Sequence, residues 1–140
     1  MARNDAGKMN DNALVLANDG GMIDWRWPNF TPDELCCKET GELDMQPDFM
    51  DRLQRLRTVL GGPITLTSAY RSPRHSIERA KAQPGTHAMG RAVDILADGR
   101  LQYRIIALAP GLGFLGMGIA KTFIHLDDWD GGPRPNVWLY

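Results

Sequence analysis

The sequence predicts an α+β fold: a small single domain in which helices pack on a mainly antiparallel sheet. Two observations predict it. Apolar residues recur at helical spacing in the first half of the chain, whereas period-two runs take over from residue 64, and helices that segregate ahead of the strands are the pattern of an α+β layer. The 140 residues, 43% of them hydrophobic, suffice for one core, and no repeat, low-complexity tract or Pro/Ser-rich linker marks the start of a second domain.

Residues 1–24 are polar and Gly-rich, with ANDGGM at 17–22, and read as a loose arm holding at most one short strand around Ala13–Leu16. The folded domain is expected over 25–140. In FTPDEL, Thr31 can cap a helix, Pro32 suits its first turn, and Glu34 stands where it closes a capping box. Between Pro47 and Gly61, Phe49, Leu53, Leu56 and Leu60 recur at spacings of 4, 3 and 4 while Asp51, Arg52, Arg55 and Arg57 fall elsewhere, which is an amphipathic helix ended by Gly61-Gly62. Ile64, Leu66 and Ser68 then alternate with Thr65, Thr67 and Ala69, a strand that leads into Tyr70 and Arg71. After a polar loop, Arg91–Leu96 reads as a second strand and Leu101–Leu108 as a helix stopped by Pro110-Gly111. Met117–Ala120 and Phe123–Asp127 read as a closing hairpin.

A formal net charge of −1 with scattered Lys and Arg leaves no basic footprint for nucleic acid and no polybasic membrane patch, so neither is expected as a partner. No run approaches the ~18 apolar residues of a membrane span. The start, MARNDAGKMNDNALVLAND, lacks the basic-then-apolar order of a secretory signal, so synthesis in the cytoplasm without a signal peptide is expected. Cys36 and Cys37 are adjacent, the wrong spacing for a metal knuckle and poor geometry for a disulfide, and read as reduced structural residues.

A catalytic zinc needs three protein ligands and an open fourth position. The chain offers that set in one obvious way. His87 lies in a turn just before a strand, and Asp94 follows inside it on the face opposite Arg91, Val93 and Ile95. On the later strand Phe123, His125 and Asp127 share one face, so His125 completes a His/Asp/His set. Each residue alone reads as an ordinary structural His or Asp. Asp94 departs from that reading because a carboxylate among Ala92, Val93, Ile95 and Leu96 is expensive to bury unless a metal or cation compensates it. His75, among Pro73, Arg74 and Ser76, reads as an exposed loop residue.

The order FTPDELCCKETGE, a helix, GGPITLTSAYRSPRH, THAMGRAVDI and FIHLD resembles the M15 family of zinc peptidases, with the fold of the D-Ala-D-Ala carboxypeptidases and hedgehog domains, over about residues 29–140. The resemblance implies zinc on His87, Asp94 and His125, and it maps the family's arginine to Arg71, which holds either the oxyanion or the substrate's terminal carboxylate. It implies hydrolysis of peptidoglycan stem peptides containing D-amino acids, as a carboxypeptidase, an endopeptidase or a phage lysin, and a monomer is expected. Several relatives place an acidic general base three residues before the last zinc histidine, where this chain has Thr122. Asp127 is the substitute, as the base or as the group that orients a ligand imidazole. Tyr70, Trp129 and Trp138 are candidates for the cleft wall, against core or edge packing. The rival reading is a non-catalytic, zinc-stabilised module of a virion or a peptidoglycan-binding protein.

Overall fold

Five short strands form the sheet: β3 (Leu66–Ser68), β4 (Ala92–Leu96), β5 (Gly116–Ile119), β6 (Phe123–Asp127) and β7 (Asn136–Leu139). The structure is a computed structural model that describes residues 13–16 and 22–140. The spatial order is β3-β4-β6-β5-β7; every neighbouring pair is antiparallel except β5 and β7. Period-two alternation gives this sheet two unlike faces. Val93, Ile95, Ile124 and Leu126 are fully buried in the core, while Asp94, His125 and Asp127, one residue out of phase, take the opposite face.

The core face is covered by helices. α1 (Pro32–Leu35) begins where Glu34 Oε1 accepts the Thr31 N–H at 2.9 Å, the reach-back half of the expected capping box. α2 (Pro47–Leu60) buries Phe49, Met50, Leu53, Leu56 and Leu60 and ends at Gly61, whose N–H donates to the Arg57 carbonyl. Phe49 meets Phe114 edge-on with ring centres 5.7 Å apart. α4 (Gly99–Leu108) starts on Asp98, whose side chain accepts the Leu101 N–H, and passes into a 3₁₀ turn at Pro110–Leu112. Ile105 is its buried anchor. Each such buried Leu, Ile or Phe contributes ~1.5–3 kcal/mol relative to exposure. Among the described residues no helix is long and apolar enough to cross a membrane.

Three elements differ from the sequence reading. Within the expected loose arm, β1 (Ala13–Leu16) pairs antiparallel with β2 (Met22–Trp25) in register Ala13 to Trp25, a hairpin where one strand at most was expected; residues 1–12 and 17–21 lie outside the described residues. The second strand was hidden because its short pattern, MIDW, follows directly on the Gly-rich sequence ANDGG. Inside the polar loop a helical turn, α3 (Ser76–Arg79), forms because His75 Nδ1 accepts the Ile77 N–H at 3.0 Å. His75 is therefore not an exposed residue: its side chain is 13% accessible, with Nε2 3.1 Å from Glu39 Oε2. The third element is β7, whose parallel pairing on β5 adds an edge strand after the expected closing hairpin.

Leu53→Ala, at a fully buried site under the sheet, should cost ~2–5 kcal/mol in denaturant unfolding. Val59→Ala on the exposed side of the same helix should stay within ~0.5 kcal/mol of wild type. Equal losses at the two positions would contradict the orientation of α2.

Candidate metal centre

Register builds the site. Asp94 on β4 stands opposite Ser68 on β3 and His125 on β6; His125 stands opposite Gly118 on β5, and Gly118 opposite Trp138 on β7. Residues directly paired across a sheet share a face, so one row crosses all five strands on the side away from the core. His87 arrives from a turn before β4. Its carbonyl accepts the Arg71 N–H at 3.2 Å and its Nδ1 lies 2.8 Å from the Ala69 carbonyl oxygen, which ties the turn to the continuation of β3. Gly90 lets the turn close: its φ is +72°, and a Cβ there would lie 2.0 Å from the Asp44 carbonyl oxygen.

His87, Asp94 and His125 offer ligand atoms that lie within 4.8 Å of one another. Asp94 Oδ1 is 3.3 Å from His87 Nε2 and 3.1 Å from His125 Nδ1. The outer nitrogens decide what these contacts are. The Ala69 carbonyl can only accept, so His87 Nδ1 carries a proton; Asp127 Oδ2, 2.7 Å from His125 Nε2, likewise places a proton there. Each neutral ring then turns a lone pair toward one anionic oxygen. Three acceptors facing one another require a cation between them, either added protons or a metal ion. The direction of the titrations agrees. Burial alone would raise the Asp94 pKa, but the hydrogen bonds and charge of His125 and His87 outweigh it and hold the carboxyl far below the usual range. Burial would lower the His125 pKa, and Asp127 and Asp94 reverse that and raise it. Two imidazoles and one carboxylate, with a side open to the cleft, fit a divalent ion of zinc type.

Asp127 has no exposed surface. Its Oδ2 accepts from His125 Nε2, and its two oxygens accept from Arg134 Nε and Nη2 at 3.0 Å each. Both oxygens accept hydrogen bonds within the wall and Asp127 does not line the cleft, a placement suited to orienting the His125 imidazole. Thr122 sits exposed in the turn between β5 and β6. Strand β5 makes room for these groups by having no side chains on this face: a Cβ on Gly116 would lie 2.5 Å from the Asp127 carboxylate oxygens, and one on Gly118 would lie 2.6 Å from Trp138 Nε1.

The profile of the family described as Peptidase M15 matches residues 28–127, most of the chain and all three converging residues. The chain belongs to peptidase family M15. No curated protein matches it significantly in sequence. M15 peptidases are metal-dependent, and the His-Asp-His group is where this M15 chain could hold its ion.

The cleft lined by His87 and His125 has a volume of about 460 Å³ and is walled by Arg71, Lys81, Trp129, Arg134, Trp138 and Tyr140 among others. Of the aromatic candidates, Trp129 and Trp138 are there, whereas Tyr70 is 6% exposed and belongs to the core cluster. Arg71 is 16% exposed; its Nη1 donates to Glu78 Oε2 at 3.1 Å and its Nη2 to Ser68 Oγ at 3.3 Å. Glu78 was not anticipated, since nothing in HSIERAK sets one acid apart. It is buried and also accepts from Lys81 Nζ at 2.9 Å and the Gly85 N–H at 2.8 Å. Burial would raise its pKa, but those donors together with Arg71 keep it low and the acid ionised. Arg134 was missed too, although the aromatic run NVWLY after Pro135 signals a strand that would carry its neighbours to the cleft.

Zinc added to metal-free protein at a hundred times its dissociation constant should stabilise the fold by about 2.7 kcal/mol, read as a rise in Tm. Asp94→Ala should abolish that rise and His75→Ala should keep it. A full rise in the Asp94 variant would remove this residue from the ligand set.

Proposed function

We propose that this M15 metallopeptidase is zinc-dependent and hydrolyses D-amino-acid-containing peptide stems of bacterial peptidoglycan, as a carboxypeptidase or endopeptidase of the phage-lysin type. The observation that carries the reading is the meeting of His87 Nε2, Asp94 Oδ1 and His125 Nδ1 beside a cleft that His87 and His125 line together with Arg71 and Lys81. A zinc ion bound there supplies a Lewis acid that lowers the pKa of a water and polarises a carbonyl.

The chain's own groups do the rest. His87 is held by Ala69 and His125 by Asp127, so neither ring has to reorient when it engages the ion. Arg71, fixed by Glu78 and Ser68, keeps a permanent positive charge over the cleft, where it meets either the substrate's terminal carboxylate or a carbonyl oxygen gaining negative charge. Lys81 adds a second cation beside it. The indoles of Trp129 and Trp138 give the substrate an apolar wall and exclude water from that side.

One observation favours the second reading, a non-catalytic metal-stabilised module: no carboxylate is among the residues that line the cleft, Thr122 stands exposed away from it, and Asp127 is fully buried. Incubation with purified peptidoglycan, with and without chelator, separates the two. The proposal expects released D-alanine or cut stems in the mass spectrum, lost with chelator and restored by zinc; intact muropeptides from zinc-loaded protein would favour the module.

Arg71→Ala should retain zinc and fold yet lose on the order of a hundredfold in turnover, and Arg71→Lys should recover only part of it. Muropeptide cleavage alongside zinc titration checks this. Near-wild-type turnover by the alanine variant would remove Arg71 from the mechanism.

A further inference from the structure

Arg134 lies at the cleft, yet its hydrogen bonds point away from any substrate. Its Nε and Nη2 reach the two oxygens of Asp127 at 3.0 Å each, and its Nη1 donates back to the Pro133 carbonyl at 3.0 Å. The guanidinium carbon sits 5.2 Å from the ring centre of Trp129 and 4.9 Å from that of Trp138, between two indoles. The side chain is 10% accessible, and the carboxylate it grips is wholly buried. A two-point fork fixes a carboxylate in plane and in rotation, which a single contact cannot do. One of those two oxygens, Oδ2, also holds His125 Nε2 at 2.7 Å. Trp138 also lies against the His125 ring, with centres 5.3 Å apart, so the segment that carries Arg134 touches the imidazole by a second route.

Space has been cleared for this arrangement. A Cβ on Gly116 would lie 2.6 Å from Arg134 Nε as well as against Asp127, so the neighbouring strand is bare where the pair sits.

We propose that Arg134 is a positioning residue of the metal centre: by clamping Asp127 at two points it fixes the His125 ring with Nδ1 toward Asp94 and His87, and so couples residues 128–138 to metal affinity. Arg134 touches none of the three converging side chains through a polar contact that the geometry records; it acts through Asp127. The proposal rests on the reading of those three residues as metal ligands.

The test is a competition titration of zinc against a chelator on the metal-free full chain, with the Tm of each metal-free protein measured in parallel. The proteins are wild type, Arg134→Ala, Arg134→Lys, Asp127→Asn and the Arg134→Ala/Asp127→Asn double variant. Arg134→Ala should bind zinc ~10- to 100-fold more weakly, the range for groups that orient a metal-bound imidazole. Arg134→Lys should recover part of the loss, since an ammonium restores charge but not the fork. The double variant should be no weaker than Asp127→Asn alone, because both changes remove one relay. The visible spectrum of cobalt placed in the site should change with Arg134→Ala, reporting altered ligand geometry where mere destabilisation would leave it alone. Wild-type affinity in Arg134→Ala, or losses that multiply in the double variant, would overturn the proposal. Should Arg134→Ala fail to fold, Arg134→Lys decides: several-fold weaker zinc binding supports the relay and unchanged binding overturns it. If wild type takes up no zinc, the ligand reading falls and this proposal with it; if wild type binds and the variants match it, this proposal falls alone.

Discussion

One carboxylate oxygen faced by two imidazole nitrogens is the constraint on which the rest of the structure depends. Asp94 Oδ1 lies 3.1 and 3.3 Å from ring nitrogens whose opposite sides are already committed to Asp127 and to the Ala69 carbonyl. A mostly buried carboxylate in that position is tolerable only with positive charge beside it. The fold is arranged to keep the three groups together. Pairing Asp94 with His125 is fixed by the same register that sends Val93, Ile95, Ile124 and Leu126 into the core, so a slip of one residue would lose the site and the hydrophobic face at once.

Around this centre two buried acids and two arginines play opposite parts. Glu78 is the fixed member of its pair and holds Arg71 in the cleft, where the guanidinium can meet a substrate. In the other pair Arg134 is the holder and Asp127 the group held, because Asp127 has the imidazole to orient. Buried ion pairs of this kind are weak contributors to stability, and breaking one by removing a partner is costly, so their value here lies in geometry. The glycines of β5 belong to the same design: Gly116 and Gly118 contribute no side chain on the face where Asp127, Arg134 and Trp138 must fit, while Met117 and Ile119 pack against the core.

Much of this was legible in the sequence. The apolar spacing in 47–61 and the Gly61 stop define α2 to the residue, because burial of one face and a left-handed cap are local signals. The phase of AVDIL and FIHLD placed Asp94 and His125 on one face, since side-chain alternation in a strand is a strict period of two. What could not be read are the partners of those residues. That Glu78 rather than another acid takes Arg71, that Arg134 returns from a Pro-rich segment onto Asp127, and that His75 caps α3 are consequences of long-range packing, which leaves no periodic trace. Tyr70 went to the core for the same reason: adjacency to Arg71 in the chain says nothing of which way each side chain leaves the end of β3.

X-ray absorption at the zinc edge of the purified protein tests the central claim most directly. The account predicts one zinc per chain with a first shell of nitrogen and oxygen alone at ~2.0–2.2 Å, including the outer-shell scattering of two imidazoles. A shell containing sulfur at ~2.3 Å would place the ion on Cys36 or Cys37, and a protein that takes up no zinc would leave protons on the imidazoles as the counter-charge of Asp94; either result would contradict it.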